Sequence, residues 1–347
     1  MKHIWKSKRF LIGFTYLFVF ISASFIYSLY FKEDTLNPLR LLYDENEKLI
    51  AASPFEPHEM PPLGSDRFGV SIFYQILDGA KFTILFAIGI SFLRIFFSAI
   101  FGILLSLYME KFKKVWQSCT EVFYYVPTVF IAAILIFPVQ LTVYSNQDAF
   151  IKPDLSLVFY QSAILIFVAI PTLTMYISSE VNEFMKREYI LSAKIMGASR
   201  FHIIVKHIRA LLSERLFLLF MQHIVQTLLL MIHLSLLHIV IGGVQMKEAS
   251  DFGDSRPVSL SNDWAGLIGL NYYELHNSMW IVTSTLFAFF LTILMIKLMT
   301  AGIQDSLQAK GFAKKERTKQ KHYQQNEQDS FAFAHAQNDK ERSSISV

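Results

Sequence analysis

The polar side chains that interrupt the apolar stretches of this chain are its best candidates for chemistry. Between Leu216 and Ile241 they are Gln222, His223, Gln226, His233 and His238. At about 100° per helical residue, Gln222, Gln226 and His233 fall within about 40° of one another and draw a narrow polar stripe. Such neutral donors and acceptors can bond a polar solute moving past. They can equally bond neighbouring helices, typically for under about 1 kcal/mol per bond at membrane depth. The spacing leaves both readings open. His223 and His238 point away from the stripe, so the histidines make no convincing ligand set for a transition metal such as nickel. Arg94 stands near the middle of another apolar stretch. A charge at that depth costs about 2.5–3.5 kcal/mol on insertion scales and calls for a reason. Either it faces a water-filled path, where it can pair with an anionic group, or it bonds carbonyls or an acid of a neighbour. Lys297 lies close enough to the end of its stretch to snorkel.

Other chemistries lack their residues. The pattern G-x-x-x-x-G-K-[ST] does not occur, so the chain does not hold ATP by that motif. No nucleophile–base arrangement or catalytic carboxylate pair is evident, and the chain is not expected to be an enzyme or to carry a cofactor. Cys119 is the single cysteine, which excludes an intrachain disulfide and a zinc site built of cysteines.

The elements that must position these residues are apolar. The chain has 347 residues, of which 53% are hydrophobic and 17% charged, against about 25% charged in soluble domains. The apolar residues lie in six blocks near the roughly 20 residues that cross a membrane: 10–31, 82–108, 122–144, 155–177, 216–241 and 279–300. Pro127, Pro138 and Pro171 do not veto helices there, because neighbours or water can satisfy freed carbonyls. The first block follows Lys2, Lys6, Lys8 and Arg9, and Ser22-Ala23-Ser24 could pass for a weak signal-peptide cleavage site. Its apolar length favours an uncleaved anchor.

Charge sets the orientation. With the N-terminus cytoplasmic, the inside segments hold 22 Lys and Arg and 12 Asp and Glu, against 8 and 16 outside. The net +4 is therefore +10 inside, −8 outside and +2 in the spans (Arg94 and Lys297). Both termini are expected to be cytoplasmic. The expected organisation is a basic N-terminus and first helix over 1–31, an extracytoplasmic segment over 32–81, a five-helix core over 82–307 and a disordered basic tail over 308–347. Trp264–Leu270 is too short to span and is expected to dip into the interface. Lysines and arginines of the tail next to the last span suit anionic lipid headgroups, or serve only as a stop signal. The net charge is too small to imply nucleic acid.

The inside loop 178–215 is long and amphipathic. Tyr189, Ser192 or Ala193, and Met196 recur at helical spacing, Gly197 interrupts, and Phe201, Ile204, Val205 and Ile208 resume the period. The pattern predicts two short helices meeting at a glycine elbow. Such a pair can dock into a groove on a cytoplasmic partner or lie on lipid headgroups.

This loop resembles the signature of bacterial ABC-importer permeases, through Glu188-Tyr189-Ile190-Leu191-Ser192-Ala193 leading to Gly197-Ala198-Ser199. Leu191 stands where the family has Glu, and Arg209-Ala210 where it usually has Pro. Leu63-Gly64-Ser65-Asp66-Arg67-Phe68-Gly69 followed by Gly79-Ala80-Lys81 is similar to the second ("C-type") permease of dipeptide and oligopeptide importers, whose relatives carry nickel chelates. Asp263-Trp264-Ala265-Gly266 and the end Ala301-Gly302-Ile303-Gln304-Asp305 complete the likeness. It implies an all-α integral membrane protein with six transmembrane helices, a type I importer permease fold with an extra N-terminal helix, in a bacterial inner membrane. It implies that Glu188, Tyr189, Ala193, Gly197, Ala198 and Ser199 couple to an ATPase, and that Gln222, Gln226, His233 and Arg94 line a translocation path. The implied partners are a second, homologous permease, two cytoplasmic ATPase subunits that bind the ATP, and an extracytoplasmic substrate-binding protein. The alternatives are a secondary transporter, for which the spans lack a membrane acid, or a non-transporting scaffold or receptor.

Overall fold

The computed structural model describes residues 5, 7–35, 38–43, 48–145, 155–248 and 255–308. In chain order they form α1 (Lys8–Tyr30), α2 (Lys32–Thr35), the strands β1 (Leu41–Tyr43) and β2 (Leu49–Ala52), α3 (Ile72–Tyr108), α4 (Glu110–Tyr125), α5 (Thr128–Ser145) and α6 (Leu155–Met185). Then come α7 (Glu188–Ile195), α8 (Arg200–Ile203), a π-helical turn (Ile204–Ile208), α9 (Arg209–Leu236), strands β3 (Val244–Glu248) and β4 (Ser255–Ser259), and α10 (Trp264–Leu270). The last helix, α11, is Met279–Gln308. The two strand pairs are antiparallel hairpins. The expected disordered tail lies outside the described residues, apart from Gln308.

Among the described residues, α1, α3, α6, the Leu211–Leu236 part of α9, and α11 are long and apolar enough to cross a membrane; α5 is shorter, apolar over Thr128–Leu141. This is the all-helical membrane fold expected, with α1 added in front of the other spans. Several boundaries differ from the apolar blocks, and three of the differences have a clear local reason. The third span does not start at Val122. Val122 belongs to the amphipathic helix α4, which ends at Tyr125. Pro127 lacks an N–H and disfavours helix in the residue before it, so the chain breaks and α5 begins at Thr128. At 1.5 Å per residue α5 is about 27 Å long, just short of a roughly 30 Å hydrocarbon core. Pro138 and Pro171 sit inside α5 and α6 as expected.

The second span starts at Ile72, well before its apolar block, because its polar first turns find partners. Gln75 Nε2 donates to Asp66 Oδ2 at 2.6 Å. Asp78 receives Lys32 at 2.8 Å and Lys81 at 2.5 Å. The fifth span ends at Leu236, short of Ile241. His238 takes φ 59° and the chain turns out of the helix. Irregular backbone is tolerated at membrane depth only where its polar groups are met by protein. Here Gln140 Nε2 donates to the His238 carbonyl at 2.6 Å, Gln161 Nε2 to the Val240 carbonyl at 3.0 Å, and the Gly242 N–H to Gln161 Oε1 at 3.1 Å.

α3 packs against α1, α6 and α9. The two sequence motifs on either side of the core meet beside it. Gly64 and Gly69 hold φ +77° and +76° in the loop before α3. The Asp66 carboxylate accepts the Phe68 and Val70 N–H groups at 2.9 and 2.8 Å. Burial pushes this carboxyl up, and the donors of Val70, Gln75 and Phe68 pull it back. Gly79 lets α3 approach so closely that a Cβ there would lie 1.8 Å from the Asn262 carbonyl oxygen. Across that contact, Trp264 Nε1 donates to the Ile76 carbonyl at 2.7 Å and the Trp264 N–H to Thr83 Oγ1 at 2.9 Å. Asp263 caps α10 through the Gly266 N–H at 2.8 Å. Every residue of α10 is buried, so this segment is a core plug rather than an interfacial dip. α1 is fixed at one end by Arg9–Asp305 at 2.8 Å. Its other end is held by Ser24, bonded to the α3 backbone, and by Tyr27 stacked on Tyr74 at 5.4 Å.

Candidate functional site

The stripe on α9 lies on its exposed face. Gln222, Gln226 and His233 are exposed, with Leu229 between them. A cavity of about 490 Å³ opens along this side. It is lined by Arg94 from α3, Thr172 from α6, His223, Gln226 and His233 from α9, and by the Pro127 break. The same proline that ends α4 thus opens the notch opposite α9.

Arg94 is 3% exposed. Its Nε donates to the Leu165 carbonyl at 2.8 Å and an Nη to Thr227 Oγ1 at 3.0 Å, so one guanidinium joins α3, α6 and α9. Thr227 in turn donates to the His223 carbonyl at 2.8 Å. Its hydroxyl proton is thereby used, and the 3.0 Å bond between Ser91 and Thr227 must have Ser91 as donor. Among the described residues no acidic side chain pairs with Arg94. His223 Nδ1 is buried and has no hydrogen-bond partner among them.

Of the expected path residues, Arg94, Gln226 and His233 are brought to one cavity. Gln222 shares the exposed face but does not line it. His223 is half-buried and lies off the exposed stripe as expected, yet it lines the same cavity. His238 has left the helix, its ring 6.3 Å from that of Tyr272. Among the described residues no three His, Cys, Asp or Glu side chains gather as a metal-holding group.

The second candidate feature is the elbow. Gly197 has φ +86° and open space around it. The Ala198 N–H donates to the Ala193 carbonyl and the Gly197 N–H to that of Lys194, both at 3.0 Å. This pair of bonds around a left-handed residue is a Schellman cap. Ser199 then caps α8, accepting the His202 N–H at 3.2 Å. The glycine elbow after a short helix is thus as expected, but the second helix is not short, since it continues into α9, and the faces differ as well. Ile190 and Ala193 turn inward, while Tyr189 and Met196 turn outward. Beyond the elbow, Ile203 and Ile208 are buried, whereas Phe201 and Val205 are exposed. The π-turn explains the shift: it spaces inward residues five apart rather than three or four. From Arg200 to Leu236 the helical path is unbroken, since no proline interrupts it at Arg209-Ala210. Arg200 also bonds the Leu107 carbonyl at the end of α3. The outer surface is apolar: Ile195 and Met196 are 81% and 80% exposed, and Phe201 is 69% exposed. Glu188, Tyr189 and Ser199 are on the same exposed side, Ala198 is half-buried and Ala193 is buried.

Reasoning from periodicity missed Thr172, His223 and the break at Pro127. The available signal was Pro127, which marks a break that reaches the cavity, and Pro171, which lies inside unbroken α6 next to Thr172.

A bundle of apolar helices with a cavity along one flank, mostly apolar but carrying a few polar groups, and a capped amphipathic elbow defines a membrane-embedded protein. Residues 98–310, well over half of the chain, match the family of binding-protein-dependent transport system inner membrane components. The chain belongs to that family, the permeases of ABC importers. Comparison with curated proteins gives no match.

Proposed function

We propose that this chain is the transmembrane permease subunit of an ATP-driven importer for peptides or a related small solute. In this reading it forms half of the pore and a second, homologous permease forms the other half. An extracytoplasmic binding protein delivers the solute, and two cytoplasmic ATPase subunits drive the cycle. The charge split of the loops supports cytoplasmic termini and puts the elbow on the cytoplasmic side.

The observation that carries the proposal is the apolar surface of Ile195, Met196 and Phe201 on a capped elbow that runs without a break into α9. An exposed patch of this kind marks an interaction surface. Force applied there reaches Gln226 and His233 along one helical rod, and the Arg200 bond passes it to α3 as well. Nucleotide can move the rod only by binding one state of the assembly better than the other. The stripe adds a second support. Gln222, Gln226 and His233 are exposed in the lone chain, and amides facing lipid are costly, so they need a protein or water neighbour. A pore formed with a second permease supplies both.

Purification from mild detergent tests the assembly. The expected result is a stoichiometric ATPase and a second permease; isolation of this chain alone from active membranes contradicts it. Alanine replacement of Gln222, Gln226 and His233, with uptake measured at constant membrane abundance, tests the path. Uptake should fall most for Gln226 and His233, and unchanged uptake for all three ends the path assignment.

A further inference from the structure

We propose that the cavity between α3, α6 and α9 is an anion subsite, in which Arg94 receives the carboxylate or another anionic group of the translocated solute. This rests on the reading of the cavity as part of the path. Arg94 is 3% exposed, yet its named bonds go to a carbonyl and a hydroxyl, neither of which carries charge. A guanidinium has more N–H donors than these bonds use. No Asp or Glu lies within the apolar blocks that form the spans, so the described residues leave the charge without a counter-ion. An unpaired buried charge is costly, and opposite charges attract more strongly as the local dielectric falls. The Leu165 and Thr227 bonds hold the guanidinium against the cavity wall, so an anion entering there meets a donor already oriented. His223 Nδ1, buried and without a partner, and the Gln226 amide supply neutral hydrogen-bonding groups beside it. A cavity of about 490 Å³ has room for such a group together with water. The same field disfavours free divalent cations. The competing source of countercharge is a carboxylate of the homologous permease, which would neutralise Arg94 permanently.

Thiol labelling in the assembled complex separates these cases without knowledge of the solute. Cys119→Ser removes the native thiol, and Thr172→Cys places a probe on the cavity wall. Labelling rates are measured with an anionic methanethiosulfonate (sulfonatoethyl) and a cationic one (trimethylammonium-ethyl), each normalised to its rate with free mercaptoethanol. The normalised preference should favour the anionic reagent by about tenfold or more. It should persist in Arg94→Lys, approach parity in Arg94→Gln, and shrink as ionic strength is raised with Arg94 intact. The salt series decides the matter even where Arg94→Gln fails to assemble. Equal rates or a cationic preference with Arg94 intact overturn the anion subsite while leaving the path in place. Absence of labelling at both Thr172→Cys and Val129→Cys shows that water does not reach the cavity, and overturns the path along with the subsite.

Discussion

Gly79 and Gly89 lie on the same helix and meet opposite surroundings. A Cβ at Gly79 would lie 1.8 Å from a carbonyl oxygen, whereas nothing stands within 4 Å of one at Gly89. Gly79→Ala should therefore destabilise the protein by about 1–3 kcal/mol through overpacking. Gly89→Ala should be neutral or raise stability by up to about 1 kcal/mol through helix propensity. Thermal unfolding in detergent checks both, and an equal response at the two positions would contradict the α3–α10 joint. Nearby, Arg67 pairs with Glu274, which is wholly buried, and the Arg67 guanidinium lies over the Tyr273 ring at 5.7 Å. Arg67→Ala should cost about 3–5 kcal/mol by stranding that carboxylate, and the double replacement Arg67→Met with Glu274→Gln should recover most of the loss. A double replacement as unstable as the single one would mean that the ion pair is not the source. At this scale the sequence was partly legible. Arg94 announced itself as a charge in an apolar run. Glu274 did not, because its partner Arg67 comes from a segment distant in sequence.

The elements show where periodicity succeeds and where it slips. A short helix and a glycine break were readable from residues 188–208, whereas the merging of the second helix into α9 was not. The inward face was not, because a π-turn adds a residue to the period and no local composition announces it. Likewise Pro127 and Pro138 look alike in sequence, yet only Pro127 breaks a helix. It follows an amphipathic helix rather than sitting within an apolar one, so the break costs less there. The elbow carries a prediction of its own. Gly197→Pro imposes φ near −65° on a residue at +86° and removes the N–H that bonds Lys194. Substrate-stimulated ATPase should be lost in the assembled complex while the protein stays in the membrane at normal abundance. Retention of full coupling would count against the docking role.

For the whole molecule, five long spans, a shorter sixth apolar helix and the all-helical class were legible because membrane crossing needs long apolar runs and internally bonded backbone. The interior details were less so. Plugging of the core by α10, and the glutamines that hold the turn after α9, depend on pairings across the bundle. The cavity and the elbow are joined by the continuous helix from Arg200 to Leu236. In the proposed importer an ATPase grips the elbow. A photoreactive amino acid at Met196, 80% exposed, tests it in native membranes, with Phe287, 65% exposed on α11, as the control. The expected result is an adduct between position 196 and a nucleotide-binding subunit, and none from position 287. An active importer in which position 196 captures no ATPase would contradict it.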